Sequence, residues 1–253
     1  MQKRGKKAVV AYRGGWSKAG YLLIIIAVVP LLFWGTKVNR TQYRHTVVFA
    51  DDNMSDYENK WMYANANRDY WILESEFMTR YSYPTDVVFV GDSITYRCQW
   101  NEIFPELDVK NRGIPSDTTG GVCARIDSII KTKPGKVFIM IGINDLGADV
   151  EEEEIMNNYY SIVDSLLEVP DIRIYVESVL PVNENSGISK ENIIELNGYI
   201  EKMCSEKGIE YIDLYSIFSD HSGWLADQYS MDGVHINAKG YECWKNQIRK
   251  YIY

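Results

Sequence analysis

The sequence has little that would bind a metal ion or a redox cofactor. It contains four cysteines, with no Cys-x-x-Cys pair and no metal-ligand spacing, and only three histidines. Cys123, Cys204 and Cys243 fall in helical patterns, which favours buried free thiols, although an extracytoplasmic location would permit a disulfide. We therefore expect no metal and no cofactor.

Acidic residues are missing from the start of the chain, and charge of either sign is missing from the segment that follows. Residues 1–18 carry six basic side chains and no acid, and residues 19–36 carry no charge. The remaining 21 lysines and arginines stand against 35 acids, so residues 37–253 have a net charge of −14. Because so acidic a domain repels phosphate backbones, nucleic acid is not an expected partner.

The uncharged stretch 19–36 is long enough for a short transmembrane helix. The charges around it predict that the basic leader 1–18 stays in the cytoplasm and that the rest of the chain lies outside. The alternative is a cleaved signal peptide and a secreted protein. However, Phe33, Trp34 and Lys37 stand where a small-x-small cleavage site would be needed. We favour an uncleaved, single-pass membrane anchor.

Between the anchor and the first strand, the sequence predicts a tether and one long helix. Residues 37–54 are typical of a polar tether, and the helix is predicted from Ser55 to Tyr81. Ser55 can cap it together with Glu58, and the segment contains no glycine or proline. The helix is rich in aromatic side chains, which pack either on the domain or against the membrane.

After this helix, apolar runs alternate with helical patterns. The strand-like runs occupy residues 86–90, 107–111, 136–141, 172–180 and 209–214, of which the second is the weakest. The helical patterns occupy residues 118–131, 152–168, 189–206 and 238–252. Such alternation predicts one α/β domain, residues 55–253, with a parallel sheet that is covered by helices on both faces.

The first predicted strand ends in Gly91-Asp92-Ser93. In parallel α/β sheets, ligands bind beyond the carboxyl ends of the strands, so this serine lies where a substrate is expected. Ser93 is either a cap of the next helix, the more common use of such a serine, or a nucleophile. A helix N-terminus would suit a nucleophile because its backbone N–H groups stabilise developing negative charge.

The next two strand ends carry groups that are able to stabilise an oxyanion. Gly113 follows the second strand and is either a turn glycine or a backbone N–H donor that a substrate can approach closely. Asn144 follows the third strand and either closes a turn or donates from its side-chain amide, with Asp145 holding the loop.

A candidate base precedes the last predicted helix, in the segment Asp232-Gly233-Val234-His235. A neutral histidine is the natural base for a serine hydroxyl, and it needs a carboxylate on its other nitrogen. Asp232 and His235 can meet both needs. The alternative is a surface histidine in a glycine-containing loop.

Taken together, these segments resemble the conserved blocks of the SGNH/GDSL hydrolase family. The matching segments are Gly91-Asp92-Ser93-Ile94 for the GDSL block, Gly113 for the lone-glycine block, Gly142-Ile143-Asn144-Asp145 for the Gly-x-Asn-Asp block and Asp232-x-x-His235 for the last block. The stretch from Gly113 to Thr119 is similar to the branch that contains the platelet-activating-factor acetylhydrolase catalytic subunits and many bacterial carbohydrate esterases.

The resemblance implies a flavodoxin-like three-layer α/β sandwich with a five-stranded parallel sheet, no metal, and ester hydrolysis through an acyl-enzyme. The site residues that it implies are a triad of Ser93, Asp232 and His235, oxyanion donors at Ser93, Gly113 and Asn144, and supporting residues Asp92 and Asp145.

We therefore expect a serine esterase that acts outside the cytoplasm on short-chain esters, above all acetyl esters, of glycans or other small molecules. One alternative is an O-acyltransferase that uses the same triad with a sugar hydroxyl as acceptor. Another is a non-catalytic glycan-binding surface protein, against which the complete triad argues. Lipid esters are a further substrate class, because aromatics in residues 57–81 are suited to docking on a membrane. The sequence makes no prediction of the oligomeric state.

Overall fold

The structure is a computed structural model that describes residues 70–253. The predicted leader 1–18, anchor 19–36 and tether 37–54 lie outside the described residues, as does the first part of the predicted helix 55–81. Among residues 70–253, no helix has both the length and the apolar character that crossing a bilayer would require.

Five parallel strands form one sheet, which confirms the predicted architecture. They are β1 (Val87–Gly91), β2 (Val109–Gly113), β3 (Lys136–Met140), β4 (Arg173–Glu177) and β5 (Glu210–Ile212), in the order β2-β1-β3-β4-β5. The central strand β1 is buried along its whole length, as expected for a continuous apolar run in a sheet covered on both faces. Its register pairs Gly91 with Gly113, so β1 and β2 end at the same edge.

The helices connect and flank these strands. They are α1 (70–80), α2 (Ser93–Tyr96), α3 (Trp100–Ile103), α4 (Thr119–Ala124), α5 (Ile126–Ile130), α6 (Ile143–Gly147), α7 (Glu152–Leu167), α8 (Lys190–Lys207), α9 (Tyr215–Phe218) and α10 (Ala238–Ile252), with a 3₁₀ turn at Asp227–Tyr229. The single helix predicted over 118–131 is wrong in one respect. It is divided into α4 and α5 at Arg125, whose φ of −115° and ψ of 13° interrupt the helix.

Alternate residues of the central strands enter one of two hydrophobic cores. On one face, Val88 and Ile139 pack in a core that α7 and α8 cover. On the other face, Phe89 stacks on Trp100 with ring centroids 3.5 Å apart, and α10 contributes Trp244 to the same core. The sheet therefore lies between two helical layers, and each core holds the strand ends in place.

Helix α1 packs on the domain with part of its surface only. Met78 is buried and Trp71 is partly buried, whereas Leu73, Phe77 and Tyr81 on the same segment are each about half exposed. The sequence left two alternatives for the aromatic side chains, packing on the domain or packing against the membrane. Trp71 packs on the domain. Phe77 and Tyr81 face away from the core.

Candidate active site

Ser93 is the first residue of α2, immediately after the end of β1. The preceding Asp92 is the N-cap, and its Oδ1 accepts a hydrogen bond from the N–H of Ile94 at 2.8 Å. Only glycine fits at position 91, because a Cβ atom there would lie 2.4 Å from the carbonyl oxygen of Met140. The Cβ atom would also lie 2.2 Å from Thr95 Oγ1, so glycine at this position lets α2, the helix that carries Ser93, pack closely against the end of β1.

Asp92 is buried beneath this turn and has no contact with solvent that would stabilise its charge. Burial raises its pKa to about 7, although the N–H group of Ile94 favours the charged form. Asp92 caps the helix that carries Ser93 and so holds the backbone that positions this serine. These contacts are consistent with the supporting role that the sequence resemblance implies.

The structure brings Ser93, His235 and Asp232 into one hydrogen-bonded line. Ser93 Oγ lies 2.9 Å from His235 Nε2, and His235 Nδ1 lies 2.8 Å from Asp232 Oδ2. A carboxylate can only accept, so Nδ1 carries the proton and donates to Asp232. In the neutral imidazole, Nε2 is then an acceptor for the hydroxyl hydrogen of Ser93, which is the arrangement needed to take a proton from the serine.

The other oxygen of Asp232 is held by the backbone of its own loop. Oδ1 accepts hydrogen bonds from the N–H groups of Val234 at 3.0 Å and His235 at 2.8 Å. Partial burial acts against the charge, but these N–H groups and the imidazole outweigh it and lower the pKa of Asp232 to about 2. Asp232 is therefore a carboxylate at any pH at which the protein would be assayed.

The loop from Ser230 to His235 is further fixed by two residues that the sequence analysis did not single out. Ser230 Oγ donates to the carbonyl of His235 at 2.6 Å and accepts from the N–H of Gly233 at 2.9 Å. The N–H of Asn183 donates to the carbonyl of Gly233 at 2.8 Å. Gly233 has a φ of +82°, and a Cβ atom there would lie 2.1 Å from Asn183 Nδ2, so glycine is required.

Asn144 lies in the first turn of α6, which follows β3 on the edge where β1 also ends. Its Nδ2 donates to the main-chain carbonyl of Asp117 at 2.9 Å. A carboxamide nitrogen carries two hydrogens, so this bond fixes the orientation of the amide and leaves its second N–H to donate elsewhere. The geometry is therefore compatible with the predicted donation to an oxyanion.

Asp145 joins the loop after β3 to the start of α4. Its carboxylate accepts from the N–H of Thr119 at 3.0 Å and from the Thr119 hydroxyl at 2.5 Å. Burial raises the pKa of Asp145, while these hydrogen bonds favour its charged form. The sequence predicted that Asp145 holds this loop, and its hydrogen bonds from Thr119 are consistent with that role.

Gly113 occupies a closely packed position beneath α2. Its N–H donates to Asn111 Oδ1 at 2.9 Å, and a Cβ atom on it would lie 2.4 Å from the backbone nitrogen of Tyr96. Donation from Gly113 to a substrate oxygen would require the bond to Asn111 to be shared or exchanged. The oxyanion role predicted for Gly113 thus stays a prediction, and the contacts show a packing role.

A buried ion pair lies behind these strand ends. Asp117 and Arg125 have side chains that are 1% exposed, with Nε and one terminal nitrogen of Arg125 2.8 and 2.7 Å from Asp117 Oδ2. The same arginine donates to the carbonyl of Arg112 at 2.8 Å, and Trp71 Nε1 donates to Asp117 Oδ1 at 2.8 Å. Asp117 lies in the Gly113-to-Thr119 stretch that carried the sequence resemblance, but nothing in the sequence indicated its partners.

A cavity of about 300 Å³ opens beside the triad carboxylate. Polar groups of Asn183, Asp227 and Ser230 line it together with Asp232, and Met231 stands at its rim with 93% of its surface exposed. Among residues 70–253, no group of three or more histidine, cysteine, aspartate or glutamate side chains lies close enough to hold a metal ion.

Comparison with known protein families gives this site a context. Residues 89–243, more than half of the chain, match the GDSL-like Lipase/Acylhydrolase family. The chain belongs to this family. The predicted resemblance is thereby confirmed, and the protein is an enzyme that acts on ester bonds. The matched range begins in β1 and ends in α10, so it contains all the residues of the predicted triad.

Several individual relatives of this GDSL-family chain are known. Platelet-activating factor acetylhydrolase IB subunit alpha2 of Gallus gallus is 25% identical over 164 residues, which cover 62% of this chain and 71% of the relative. A Streptococcus pneumonia protein solved as a platelet activating factor superposes with a TM-score of 0.71 at 26% identity, covering 79% of this chain and all of the other. Axe2, an acetylxylan esterase from Geobacillus stearothermophilus, shares the fold with a TM-score of 0.57 at 20% identity, covering 68% and 95%.

Proposed function

We propose that the protein is a serine esterase that forms an acyl-enzyme on Ser93. The observation that carries this proposal is the line of two hydrogen bonds, 2.9 Å from Ser93 Oγ to His235 Nε2 and 2.8 Å from His235 Nδ1 to Asp232 Oδ2. A serine that merely caps α2 would have no use for a histidine and a carboxylate in series. The cap itself is supplied by Asp92.

In the first step, Ser93 Oγ attacks the carbonyl carbon of the ester while His235 Nε2 takes the serine proton. The carbonyl oxygen gains negative charge, for which the backbone N–H of Ser93 and the second N–H of Asn144 are the proposed donors, with Gly113 as a third. The bond to the alcohol then breaks, and the alcohol leaves with the proton from His235. Asp232 stays ionised throughout and stabilises the imidazolium.

In the second step, water takes the place of the alcohol. His235 removes a proton from this water as its oxygen attacks the acyl carbon on Ser93. The acyl–Ser93 bond breaks, Ser93 Oγ regains its proton from His235, and the carboxylic acid is released. The same three side chains therefore act in both halves of the reaction, with no change in their arrangement.

As substrates we propose short acyl esters, above all acetyl esters, of polyhydroxylated alcohols such as glycans. The cavity beside Asp232 supports this class because Asn183 and Asp227 offer hydrogen-bonding groups that match sugar hydroxyls. Two relatives are named for the removal of acetyl groups, the acetylhydrolase subunit and the acetylxylan esterase. We also propose that residues 19–36 anchor the enzyme in the membrane with the catalytic domain outside the cytoplasm.

Activity and labelling on purified protein test the proposal. Wild type should release acetate from acetylated xylan. It should also cleave p-nitrophenyl acetate faster than p-nitrophenyl esters of longer acyl chains. Ser93→Ala should abolish both reactions and labelling by a serine-directed fluorophosphonate. Ser165→Ala is the matched control, because this serine is only partly buried on α7 and its hydroxyl donates to the carbonyl of Ser161 in its own helix. Normal turnover in Ser93→Ala would remove the acyl-enzyme mechanism, and transfer of acetyl to an added sugar in preference to water would make the protein an acyltransferase.

A further inference from the structure

Asp117 links two parts of the molecule, one through its side chain and the other through its main chain. Its carboxylate belongs to the buried pair with Arg125, and its carbonyl oxygen accepts the Nδ2 hydrogen bond that orients Asn144. The N–H of Thr118 donates to Asp117 Oδ1 at 3.1 Å, and this N–H belongs to the same peptide group as the Asp117 carbonyl. A displacement of Oδ1 therefore acts on the peptide group whose oxygen holds Asn144.

Arg125 alone does not fix the orientation of this carboxylate. Both of its donating nitrogens bind the same oxygen, Oδ2, which leaves rotation about that contact open. The second oxygen, Oδ1, is bound by Trp71 Nε1 at 2.8 Å and by the N–H of Thr118 at 3.1 Å. Trp71 is therefore the side chain that fixes the other half of the carboxylate.

The surroundings make the loss of this bond costly. The Asp117 side chain is 1% exposed, so Oδ1 has no water to replace a missing donor. Burial raises the pKa of Asp117, and the indole N–H is among the groups that favour its charged form. Gly121 adds a steric limit, because a Cβ atom there would lie 1.8 Å from Oδ1. Without the indole N–H, Oδ1 would keep only the N–H of Thr118 at 3.1 Å, and the carboxylate would shift toward this donor.

We propose that Trp71 is a positioning residue for the oxyanion hole, acting through Asp117 on the side-chain amide of Asn144. Its indole N–H, rather than its apolar surface, is the part that the site needs. Helix α1 thereby becomes part of the catalytic architecture, although it precedes the sheet and contributes no residue to the triad. The kinetic consequence rests on the esterase mechanism proposed above.

A double-mutant cycle on the full-length chain tests the proposal. Trp71→Phe keeps an aromatic ring and removes the N–H, and it should lower kcat by about ten- to a hundredfold with little change in KM, since a small misplacement of a catalytic group has effects of this size. In the Asn144→Ala background the same substitution should have almost no further effect, because the group through which it acts is gone. Equal fold losses in both backgrounds would overturn the proposal.

Two further variants keep the test decisive if Trp71→Phe folds poorly. Phe77→Leu, on the exposed side of the same helix, should retain wild-type kcat. Gly121→Ala should displace Asp117 Oδ1, from which its Cβ atom would lie only 1.8 Å, while keeping the indole of Trp71, which it would approach to 3.2 Å. It should therefore reproduce the loss of kcat. Wild-type kcat in a folded Gly121→Ala protein would show that the position of Asp117 does not matter and would end the proposal.

A spectroscopic readout is independent of turnover. In ¹H–¹⁵N spectra, the side-chain amide pair of Asn144 is identified by its loss in Asn144→Ala. Trp71→Phe should shift this pair, whereas Phe77→Leu should leave it in place. An unmoved pair in Trp71→Phe would contradict the inference. If wild type cleaved no ester, the proposed function would fail by that result alone, and the amide signals would still decide the role of Trp71.

Discussion

Ser93 Oγ and His235 Nε2 lie 2.9 Å apart, although 142 positions separate the two residues in the chain. Local structure positions each of the two side chains. Ser93 starts a helix at the point where β1 ends, and His235 sits in a loop closed on itself by Asp232 and Ser230. The start of α2 and this loop meet at the edge of the sheet, since ligand sites of parallel sheets form beyond the carboxyl ends of the strands.

The first prediction concerns the donor at Asn144. Asn144→Ala should lower kcat by about a hundred- to a thousandfold, or about 2.7–4 kcal/mol in the transition state, with little change in KM. It also removes the hydrogen bond to the Asp117 carbonyl, so stability should fall by only about 1 kcal/mol. Steady-state kinetics and thermal melts on one sample measure both effects.

Asn192→Ala, on the exposed surface of α8, is the control and should change neither quantity. A large loss of stability in Asn144→Ala, combined with near-normal kcat, would show that Asn144 is a turn residue and would take it out of the mechanism.

The second prediction tests the packing role of Gly113. Gly113→Ala should destabilise the protein by about 1–3 kcal/mol, because the added methyl group meets the backbone of Tyr96 and Asp92. Turnover should fall with it, since α2 carries Ser93 and must move. Gly198→Ala is the control: it adds a methyl group in open space on a helix and should stabilise by about 0.5–1 kcal/mol. A Gly113→Ala protein with unchanged melting temperature would contradict the packing role.

The sheet was predictable because its three central strands, β1, β3 and β4, are short, mostly apolar and almost wholly buried runs, whose positions along the chain are visible in the sequence. Strand β4 was predicted to reach residue 180 but ends at Glu177. Residues 178–180 stay buried, and the apolar Val179 and Leu180 extend the strand-like pattern after the strand pairing stops. There, the buried hydroxyl of Ser178 accepts the N–H groups of Leu214 and Tyr215.

Long-range polar contacts explain what the sequence did not show at the site. The break between α4 and α5 at Arg125 accompanies an ion pair with Asp117, and Asp117 in turn meets Trp71, 46 positions earlier in the chain. No local pattern indicates such a partner. Ser230 was missed for a different reason, since a serine in a glycine-containing loop is common and only its two contacts distinguish it.

The third prediction concerns the buried carboxyl of Glu177, at the end of β4. Burial raises its pKa to about 8, against the hydrogen bond that Trp244 Nε1 donates to its Oε1 at 2.5 Å. The folded-state pKa lies above the unfolded value of 4.5, so the stability that Glu177 contributes is complete below about pH 4.5 and is lost as pH rises through about 8.

Glu177→Gln keeps an acceptor for Trp244 and cannot ionise, so it should lose less stability than wild type between pH 5 and about pH 9. Denaturant midpoints across this window measure the difference. The exposed Glu106→Gln should follow the wild-type curve. A Glu177→Gln protein with the wild-type slope would show that Glu177 is not the titrating group.

The fourth prediction concerns the membrane anchor. The uncharged stretch 19–36 follows six basic residues, so the full-length protein should stay with membranes after a carbonate wash, and protease added from outside should reach the catalytic domain. The control replaces Ile25 and Val28 by lysine, which should release the chain from the membrane fraction. Recovery of a soluble wild-type protein that begins near residue 37 would show a cleaved signal peptide instead.

The last prediction concerns Ser230, which contacts the triad loop without touching the reacting atoms. Its hydroxyl donates to the carbonyl of His235 and accepts from the N–H of Gly233, so it holds both ends of the turn that presents the imidazole. Ser230→Ala should therefore misplace His235 and lower kcat by about ten- to a hundredfold, with KM little changed. Stability should fall by about 1 kcal/mol, since the contacts are only partly buried.

Ser230→Thr keeps the hydroxyl and should retain most of the activity. If the position required only a small side chain, alanine would be tolerated better than threonine. The rate of fluorophosphonate labelling at Ser93 gives a second measurement, because the reagent needs the serine to be activated by His235 and does not depend on the alcohol site. Labelling and turnover should fall together in Ser230→Ala. If turnover of glycan esters fell while labelling stayed at the wild-type rate, Ser230 would act on the substrate through the adjoining cavity, and His235 would be held in place by Asp232 and the backbone alone.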